Sequence, residues 1–228
     1  MMIPGRMLKR IVLLVGEAVL ASLAVGMFWY QDWQYSLPTP RPVALVQPEV
    51  GARLRILEPS SLADLSTNVR EQPTLLHFFN PGCPCSRFNV AHLRRLVTIF
   101  ADRVRVIAVI EVDDPQALEE FRELNLACEV VLDQRGFIAH QAGVYSTPQG
   151  AVLASDGKLF YRGNYNLGRY CTAPENEFVR RALEACLANE PLPEFPAAAT
   201  IAQGCPLPVD HASGQVRIDR EPVAEDWP

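Results

Sequence analysis

The longest apolar run in the chain comes first. From Ile11 to Tyr30 the only charge is Glu17, and Arg6, Lys9 and Arg10 stand just before the run. Twenty residues at ~1.5 Å rise span ~30 Å, the thickness of a bilayer's hydrocarbon core. A cleavable signal has a shorter apolar core and a small-residue cleavage site, whereas this run ends in the bulky Met27-Phe28-Trp29-Tyr30. Trp29, Tyr30, Trp33 and Tyr35 supply an aromatic belt at the far interface, and the basic residues stay on the cytoplasmic side. Residues 1–35 therefore read as a cytoplasmic N-terminus and one membrane anchor through residues 11–30. Glu17 lies near the cytoplasmic end, within reach of water or Arg10, so its burial costs less than at the bilayer centre.

Beyond the anchor the apolar pattern shortens to the lengths of strands and amphipathic helices. Pro38, Pro40, Pro42 and Pro48 make residues 36–50 a stiff, extended linker that lifts the rest off the membrane. Residues 75–79 (Leu-Leu-His-Phe-Phe) form a strand-length run. From Cys85 to Ala101, Phe88, Leu93, Leu96, Val97 and Phe100 recur at the spacing of one helical face. Val104 to Val112 is rich in Val and Ile, as strands are. Pro115 to Leu124 reads as a helix with proline in its first turn, where the missing N–H costs nothing. Glu129 to Leu132 is a further short strand. Residues 150–154 and 159–162 flank Asp156-Gly157, a strong two-residue hairpin signal, and Pro174 to Ala188 closes with a helix. Such alternation predicts an α/β layer fold with a mixed sheet over residues 51–190. Residues 191–228, with seven prolines, read as an irregular tail.

Composition narrows the function. Hydrophobic residues make up 49% and charged residues 21%, ordinary globular usage. The net charge is −5, and the basic residues near the N-terminus leave the body more acidic still. An acidic body lacks the cationic footprint that nucleic-acid binding requires. Six cysteines, Cys83, Cys85, Cys128, Cys171, Cys186 and Cys205, fall outside the membrane on this topology, where disulfides form and persist. Six cysteines allow 15 full pairings, and spacing alone does not choose among them.

The most informative stretch is Phe78-Phe79-Asn80-Pro81-Gly82-Cys83-Pro84-Cys85-Ser86. A strand ends, the chain turns through Pro-Gly, and Cys83 falls at the start of a helix. Unpaired N–H groups and the partial positive charge of a helix start favour an anion there, which lowers a thiol's pKa and raises its nucleophilicity. Cys85 follows in the first turn. A Cys83–Cys85 disulfide would close a smaller and more strained ring than a Cys-x-x-Cys pair, and strain makes a disulfide more oxidising. The same two soft thiolates, with His77 or His92 nearby, also suit copper(I) or zinc. An inert structural disulfide is the third use open to the pair.

From about Thr74 to Ala188 the chain resembles the thioredoxin-like superfamily, especially the membrane-tethered redoxin and cytochrome-maturation type of bacterial envelopes. Phe78 to Cys83 is similar to the strand end that leads into that group's first active-site cysteine. Residues 129–133 followed by 142–148 resemble its strand, short helix and cis-proline loop, and residues 157–163 its terminal hairpin. The resemblance implies a thioredoxin-like fold, a mixed central sheet flanked by helices, with Pro148 cis and facing Cys83. It implies a Thr147 backbone that pairs with a bound substrate strand. It further implies thiol–disulfide exchange with protein substrates and an electron donor or acceptor, no cofactor, and a place on the bacterial inner membrane with the domain in the periplasm. Two departures stand out. Ser86 occupies the place of the second cysteine of Cys-x-x-Cys, with Cys85 one residue early, and Asn80 stands where peroxiredoxins carry a threonine. Membrane-anchored copper chaperones of this superfamily use Cys-x-x-x-Cys and a later histidine, whereas this chain has neither that spacing nor a histidine at the cis-proline loop, where Thr147 sits.

The expected catalytic set is thus Cys83 as attacking thiol, Cys85 as resolving thiol and Ser86 as a hydrogen-bond donor to the thiolate, with Thr147 and Pro148 holding substrate. His77 stands where thioredoxins carry a buried acidic group, and a histidine titrating near neutrality suits proton transfer; a strand histidine satisfied by a backbone carbonyl is the plainer reading. A Cys171–Cys205 disulfide would staple the tail to the domain, closing a loop of ~34 residues worth about 3–4 kcal/mol. Cys171 has a rival role as a resolving thiol for Cys83. Cys128 and Cys186 lie on apolar stretches and read as core residues. The charged run Glu119 to Glu123 reads as a solvated helix face. The alternative to turnover is a copper-handling or assembly factor that binds metal or a partner through Cys83 and Cys85.

Overall fold

The computed structural model describes residues 5–54, 72–110, 115–133, 136–168 and 173–207. Two compact units divide at Leu37 and Pro38. The first is a single helix, α1 (Gly5–Ser36). Its segment Lys9–Gln31 has a mean hydropathy of 2.3 and is long and apolar enough to cross a membrane. Its side chains are apolar all round rather than on one stripe, and none of that segment is buried against protein. Trp29 and Trp33 stack with ring centroids 6.3 Å apart near its C-terminal end.

Among the described residues, the second unit is built on a five-stranded sheet of order β3 (Glu129–Leu132), β2 (Arg105–Ile110), β1 (Thr74–Phe79), β5 (Gln149–Leu153), β6 (Leu159–Gly163). β1 is central and buried along its whole length, which is why its sequence is a continuous apolar run rather than an alternating one. It pairs in parallel with β2, and β2 in parallel with β3. On its other side β5 runs antiparallel, and β6 returns antiparallel to β5. The turn between them carries Gly157 at φ +78°, a left-handed conformation that favours glycine. Outside this sheet, β4 (Ser146–Thr147) pairs antiparallel with β7 (Cys205–Pro206).

Successive side chains of β1 point to opposite faces. Leu75 and Phe79 join the layer formed by α2 (Pro84–Phe100), α3 (Pro115–Arg122) and α5 (Phe178–Ala188), with Leu93, Leu96, Phe100, Phe121, Phe178 and Leu183 among its buried members. Leu76 and Phe78 face the other layer, where Ile138, Ala139 and Ala142 of α4 (Phe137–Ala142) cover them. Asp133 anchors α4 by accepting from the N–H groups of Ile138 and Ala139 at 2.9 and 2.8 Å. A mixed sheet between two helical layers, with the central strand leading into the longest helix of the domain, is a thioredoxin-like fold.

Most element bounds differ from the sequence reading by one or two residues, as where the helix expected over 115–124 stops at Arg122, and two differences are larger. The helix expected over 174–188 begins with a 3-10 turn, Pro174–Asn176, and becomes α-helical at Phe178. Residues 38–48, expected to be an extended linker, instead pack on the domain. Leu45 is 1% exposed, Gln47 donates to the carbonyl of Gly143 at 2.7 Å, and Arg162 donates to that of Pro48 at 2.9 Å. The prolines straighten this segment, but its apolar and polar groups find partners on the domain surface.

The tail differs most from an irregular appendage. Ala199 and Ala202 are fully buried. The Asn164 side-chain amide donates to the carbonyls of Ala198 (2.9 Å) and Ile201 (2.7 Å), and the Tyr161 hydroxyl to that of Ala199 (3.1 Å). Residues 197–207 thus follow a defined path across the domain. Residues 208–228 lie outside the described set.

Candidate functional site

Cys83 is the N-cap of α2, at φ −90° and ψ 120°, and Pro84 holds the N1 position. The preceding turn is self-supporting. The Asn80 side-chain oxygen accepts from the Gly82 N–H at 2.8 Å, and the Cys83 N–H donates to the Asn80 carbonyl at 3.0 Å. Arg87 reaches back to the Pro81 carbonyl at 2.7 Å. This turn sets the sulfur at the positive end of the helix, where the thiolate is favoured over the thiol whenever Cys83 is in its reduced form.

Cys83 is bonded to Cys205, with 6.2 Å between Cα atoms and 122 residues of separation. This corrects the expected Cys171–Cys205 staple: the tail runs back along β4 and delivers Cys205 to Cys83. Cys171 itself lies outside the described residues, so its rival role as a resolving thiol falls there too. Cys83 is likewise not joined to Cys85, which is a buried thiol. The three sulfurs of Cys83, Cys85 and Cys205 nonetheless lie within 4.8 Å of one another. Sequence reasoning missed Cys205 as a member of the site. Its one local signal was Gly204-Cys205-Pro206 inside a stretch otherwise read as irregular.

The floor of the site is the loop at Thr147-Pro148. That peptide bond is cis, and Cys83 Sγ lies 3.8 Å from the Thr147 carbonyl oxygen. Thr147 Oγ1 donates to the Phe78 carbonyl at 2.9 Å, so its contact with Ser86 Oγ at 2.6 Å has serine as the donor. Ser86 Oγ in turn accepts from the Asn80 N–H at 3.3 Å. One hydrogen-bond chain therefore ties the end of β1, the first turn of α2 and the floor strand together. Ser86 was expected to donate to the Cys83 thiolate; in this structure its proton goes to Thr147, and it acts as a brace.

His77 is fully buried on β1, and its Nδ1 lies 2.6 Å from the Tyr165 hydroxyl. Burial drives its pKa down to about 3, with the charge of His92 adding to the shift. Burial also takes His92 to about 4, against the pull of Glu177. Both rings are neutral at physiological pH, and His77 does not titrate near neutrality as a proton-transfer role would need. Its partner is a tyrosine rather than a backbone carbonyl. Among the described residues, Nε2 of both histidines, Nδ2 of Asn89 and Oε1 of Gln149 are buried without a direct hydrogen-bond partner, and the His77 and His92 rings both lie edge-on to Tyr165 in the core.

Cys186 is buried, and Cys128 is partly buried against the same core layer. Burial pushes the Cys128 thiol up to about 12 and also raises that of Cys186, which keeps both protonated. On α3, Glu119 pairs with Arg122 at 2.7 Å and Glu120 with Arg87 at 3.2 Å, in exposed contacts.

Residues 55–206 match the model of a family described as "Domain of unknown function (DUF6436)", a span that takes in every residue of the sulfur cluster and its floor. No curated protein matches the sequence. An uncharacterized conserved protein from Geobacillus kaustophilus is 20% identical with a TM-score of 0.55, over 78% of this chain and 100% of that one. A hypothetical protein from Sinorhizobium meliloti 1021 is 17% identical with a TM-score of 0.54, over 65% of this chain and 85% of that one. A putative thioredoxin from Neisseria meningitidis is 16% identical with a TM-score of 0.45, over 54% and 80% of the two chains. For the first two, at 20% and 17% identity, the likeness is one of fold.

Proposed function

We propose, from the premise that this chain belongs to the DUF6436 family, that it is a membrane-anchored thiol–disulfide oxidoreductase of the bacterial cell envelope. It exchanges disulfides with protein substrates through Cys83. The observation that carries this reading is the cluster of three sulfurs within 4.8 Å at the start of α2, two of them joined and the third a thiol. Exchange proceeds by attack of a thiolate on a disulfide sulfur, and such a cluster supplies both partners. Cys83 attacks, Cys85 resolves the mixed disulfide, and Thr147 with Pro148 forms the floor against which a substrate chain lies.

The N-terminal helix fits this role. Arg6, Lys9 and Arg10 at its start are retained in the cytoplasm by the positive-inside rule, which sends the domain to the periplasm. That compartment sustains the disulfide. The partners are protein thiols and disulfides, with a separate electron donor or acceptor.

The test is a pair of variants assayed for exchange with a reduced or scrambled protein substrate. Cys83→Ser abolishes exchange, and Cys85→Ser, combined with Cys205→Ser so that the tail cannot resolve in its place, accumulates mixed disulfides. Full turnover by that double variant refutes the role given to Cys85, and turnover by Cys83→Ser refutes the reading as a whole.

One observation favours a second reading. After reduction, Cys83, Cys85 and Cys205 present three thiolates at mutual distances suited to one soft ion such as copper(I) or zinc. A reduced protein that retains one such ion through dialysis and catalyses no exchange would establish a metal-handling role instead.

A further inference from the structure

Resting on the assignment of Cys83 as the exchanging thiol, we infer that residues 203–207 are a tethered substrate mimic, held by pairing with β4 and by a disulfide to Cys83 where an external protein strand docks. The chain's own tail thereby gates its active site.

The geometry is that of strand addition to an exposed edge, in which main-chain bonds give affinity and side-chain pockets give specificity. Thr147 is opposite Cys205 and Ser146 opposite Pro206 in an antiparallel pair, and the Leu207 N–H continues it by donating to the Tyr145 carbonyl at 2.9 Å. On the other side the segment is held by residues 38 and 39. Pro38 bridges Gln203, and Thr39 Oγ1 lies 3.0 Å from the Gly204 carbonyl, to which it donates. Ser146 Oγ donates to the Gln203 carbonyl at 3.1 Å. The strand in the groove is therefore read through its backbone, with one covalent contact.

Gly204 sets the specificity. Its φ is +121°, and a Cβ built there would lie 2.2 Å from the Thr147 carbonyl oxygen and 3.1 Å from its carbon. The neighbour is backbone, which cannot swing aside. No side chain fits before the cysteine, so the matching external partner is an extended polypeptide bearing Gly-Cys. The tail is built to leave as well as to bind. Its anchors, Ala199 and Ala202, are fully buried and lie upstream, whereas Cys205 is only partly buried and Pro206 is exposed. Residues 203–206 can lift while the anchors stay, and lifting residue 207 as well must draw the buried Leu207 out of the core layer it joins with Leu76 and Phe78.

Opening requires no outside oxidant. The Cys85 thiolate attacks Cys83 Sγ, the Cys83–Cys205 bond breaks, a Cys83–Cys85 bond forms, and Cys205 leaves as a thiolate that takes up the proton Cys85 gave to water. One disulfide and one thiol are present before and after. Cys85 is oxidised and Cys205 is reduced.

The test uses the full chain in detergent micelles, equilibrated in a thiol buffer with the acetylated, amidated pentapeptide Gln-Gly-Cys-Pro-Leu. Every protein compared for capture carries Cys85→Ser, which keeps Cys85 from resolving the product, wild type here meaning an unaltered tail, and mixed disulfide at Cys83 is quantified by mass spectrometry. A short tether holds its end at about millimolar effective concentration, so a peptide at about 10 μM occupies roughly 1% of wild-type Cys83. Gly204→Val, which the tail cannot accommodate, and Cys205→Ser, which removes the covalent competitor without added bulk, each raise capture at least about tenfold. A peptide with valine before the cysteine is captured at least about tenfold less by Cys205→Ser than the glycine peptide.

Equal capture by wild type and both variants, or equal capture of the two peptides, overturns the gate while exchange with a scrambled protein substrate still proceeds. Loss of that generic exchange in every protein with Cys83 and Cys85 intact overturns the underlying reading, and the gate with it.

Discussion

Replacing Cys205 by serine removes a cross-link that spans 122 residues, and the cost follows from chain entropy. In the loop-closure treatment a disulfide lowers the entropy of the unfolded chain by an amount that grows with the logarithm of loop length. For this separation the stabilisation is about 5 kcal/mol at 25 °C. The pairing expected from sequence, Cys171–Cys205, gives only about 3.8 kcal/mol for its ~34 residues. Serine is close to cysteine in size, so the folded tail keeps its bonds to Asn164 and Tyr161, and the change falls mainly on the unfolded state.

The assay is urea unfolding of the full chain in micelles, followed by tryptophan fluorescence and circular dichroism without reductant. With a slope near 2 kcal/mol/M the midpoint of Cys205→Ser drops by about 2.5 M. The slope itself increases, because the wild-type unfolded chain is held compact by the cross-link. Cys171→Ser leaves the Cys83–Cys205 bond in place and does not show this loss. A shift below about 0.5 M for Cys205→Ser, or an equal drop for Cys171→Ser, refutes the argument.

Two further predictions concern the floor of the site and its buried polar cluster. Ser86→Ala strands the Asn80 N–H and a Thr147 lone pair, and costs about 1–3 kcal/mol by the penalty for unsatisfied buried groups; unchanged thermal stability contradicts the bracing role. Acidification draws protons onto the unfolded chain at His77 and His92, whose folded values of about 3 and about 4 lie below 6.5, so stability falls as pH drops below 6.5. Asp133, raised to about 6 by burial despite its N–H partners, acts oppositely, and its contribution is lost as pH rises from about 4 to 6. Two protons against one leave a net loss of about 1.4 kcal/mol per pH unit on acidification between pH 4 and 6. His92→Gln brings that slope near zero; a slope equal to wild type shows that His92 is not held neutral.

Much of this architecture was legible because it is written in local pattern. The run from Leu75 to Phe79 is apolar without alternation because the strand is covered on both faces, and Asp156-Gly157 marks a turn whose glycine takes φ +78°. Cys83 at a helix start follows from Pro84 and the Asn80-Pro81-Gly82 turn. The misreadings share one cause. Pro-rich segments carry no periodicity, so residues 38–48 and 197–207 read as irregular. Yet a proline-straightened chain docks well when single residues such as Leu45 and Ala202 find pockets and its carbonyls find donors such as Asn164. The partner of Cys83 was illegible for the same reason, since nothing local connects positions 122 apart. Gly204, whose missing side chain lets the tail touch Thr147, was the residue that carried the information.

The central claim is that Cys83 performs reversible disulfide chemistry, and a redox titration tests it most directly. The full chain is equilibrated in thiol buffers of defined potential, and each oxidised pair is mapped by mass spectrometry. The account predicts a reversible couple at Cys83 between roughly −120 and −270 mV, the span of known oxidoreductases. Cys205 is its partner in the wild type, and Cys85 in Cys205→Ser. A Cys83 that never enters a reversible disulfide across that range would contradict it.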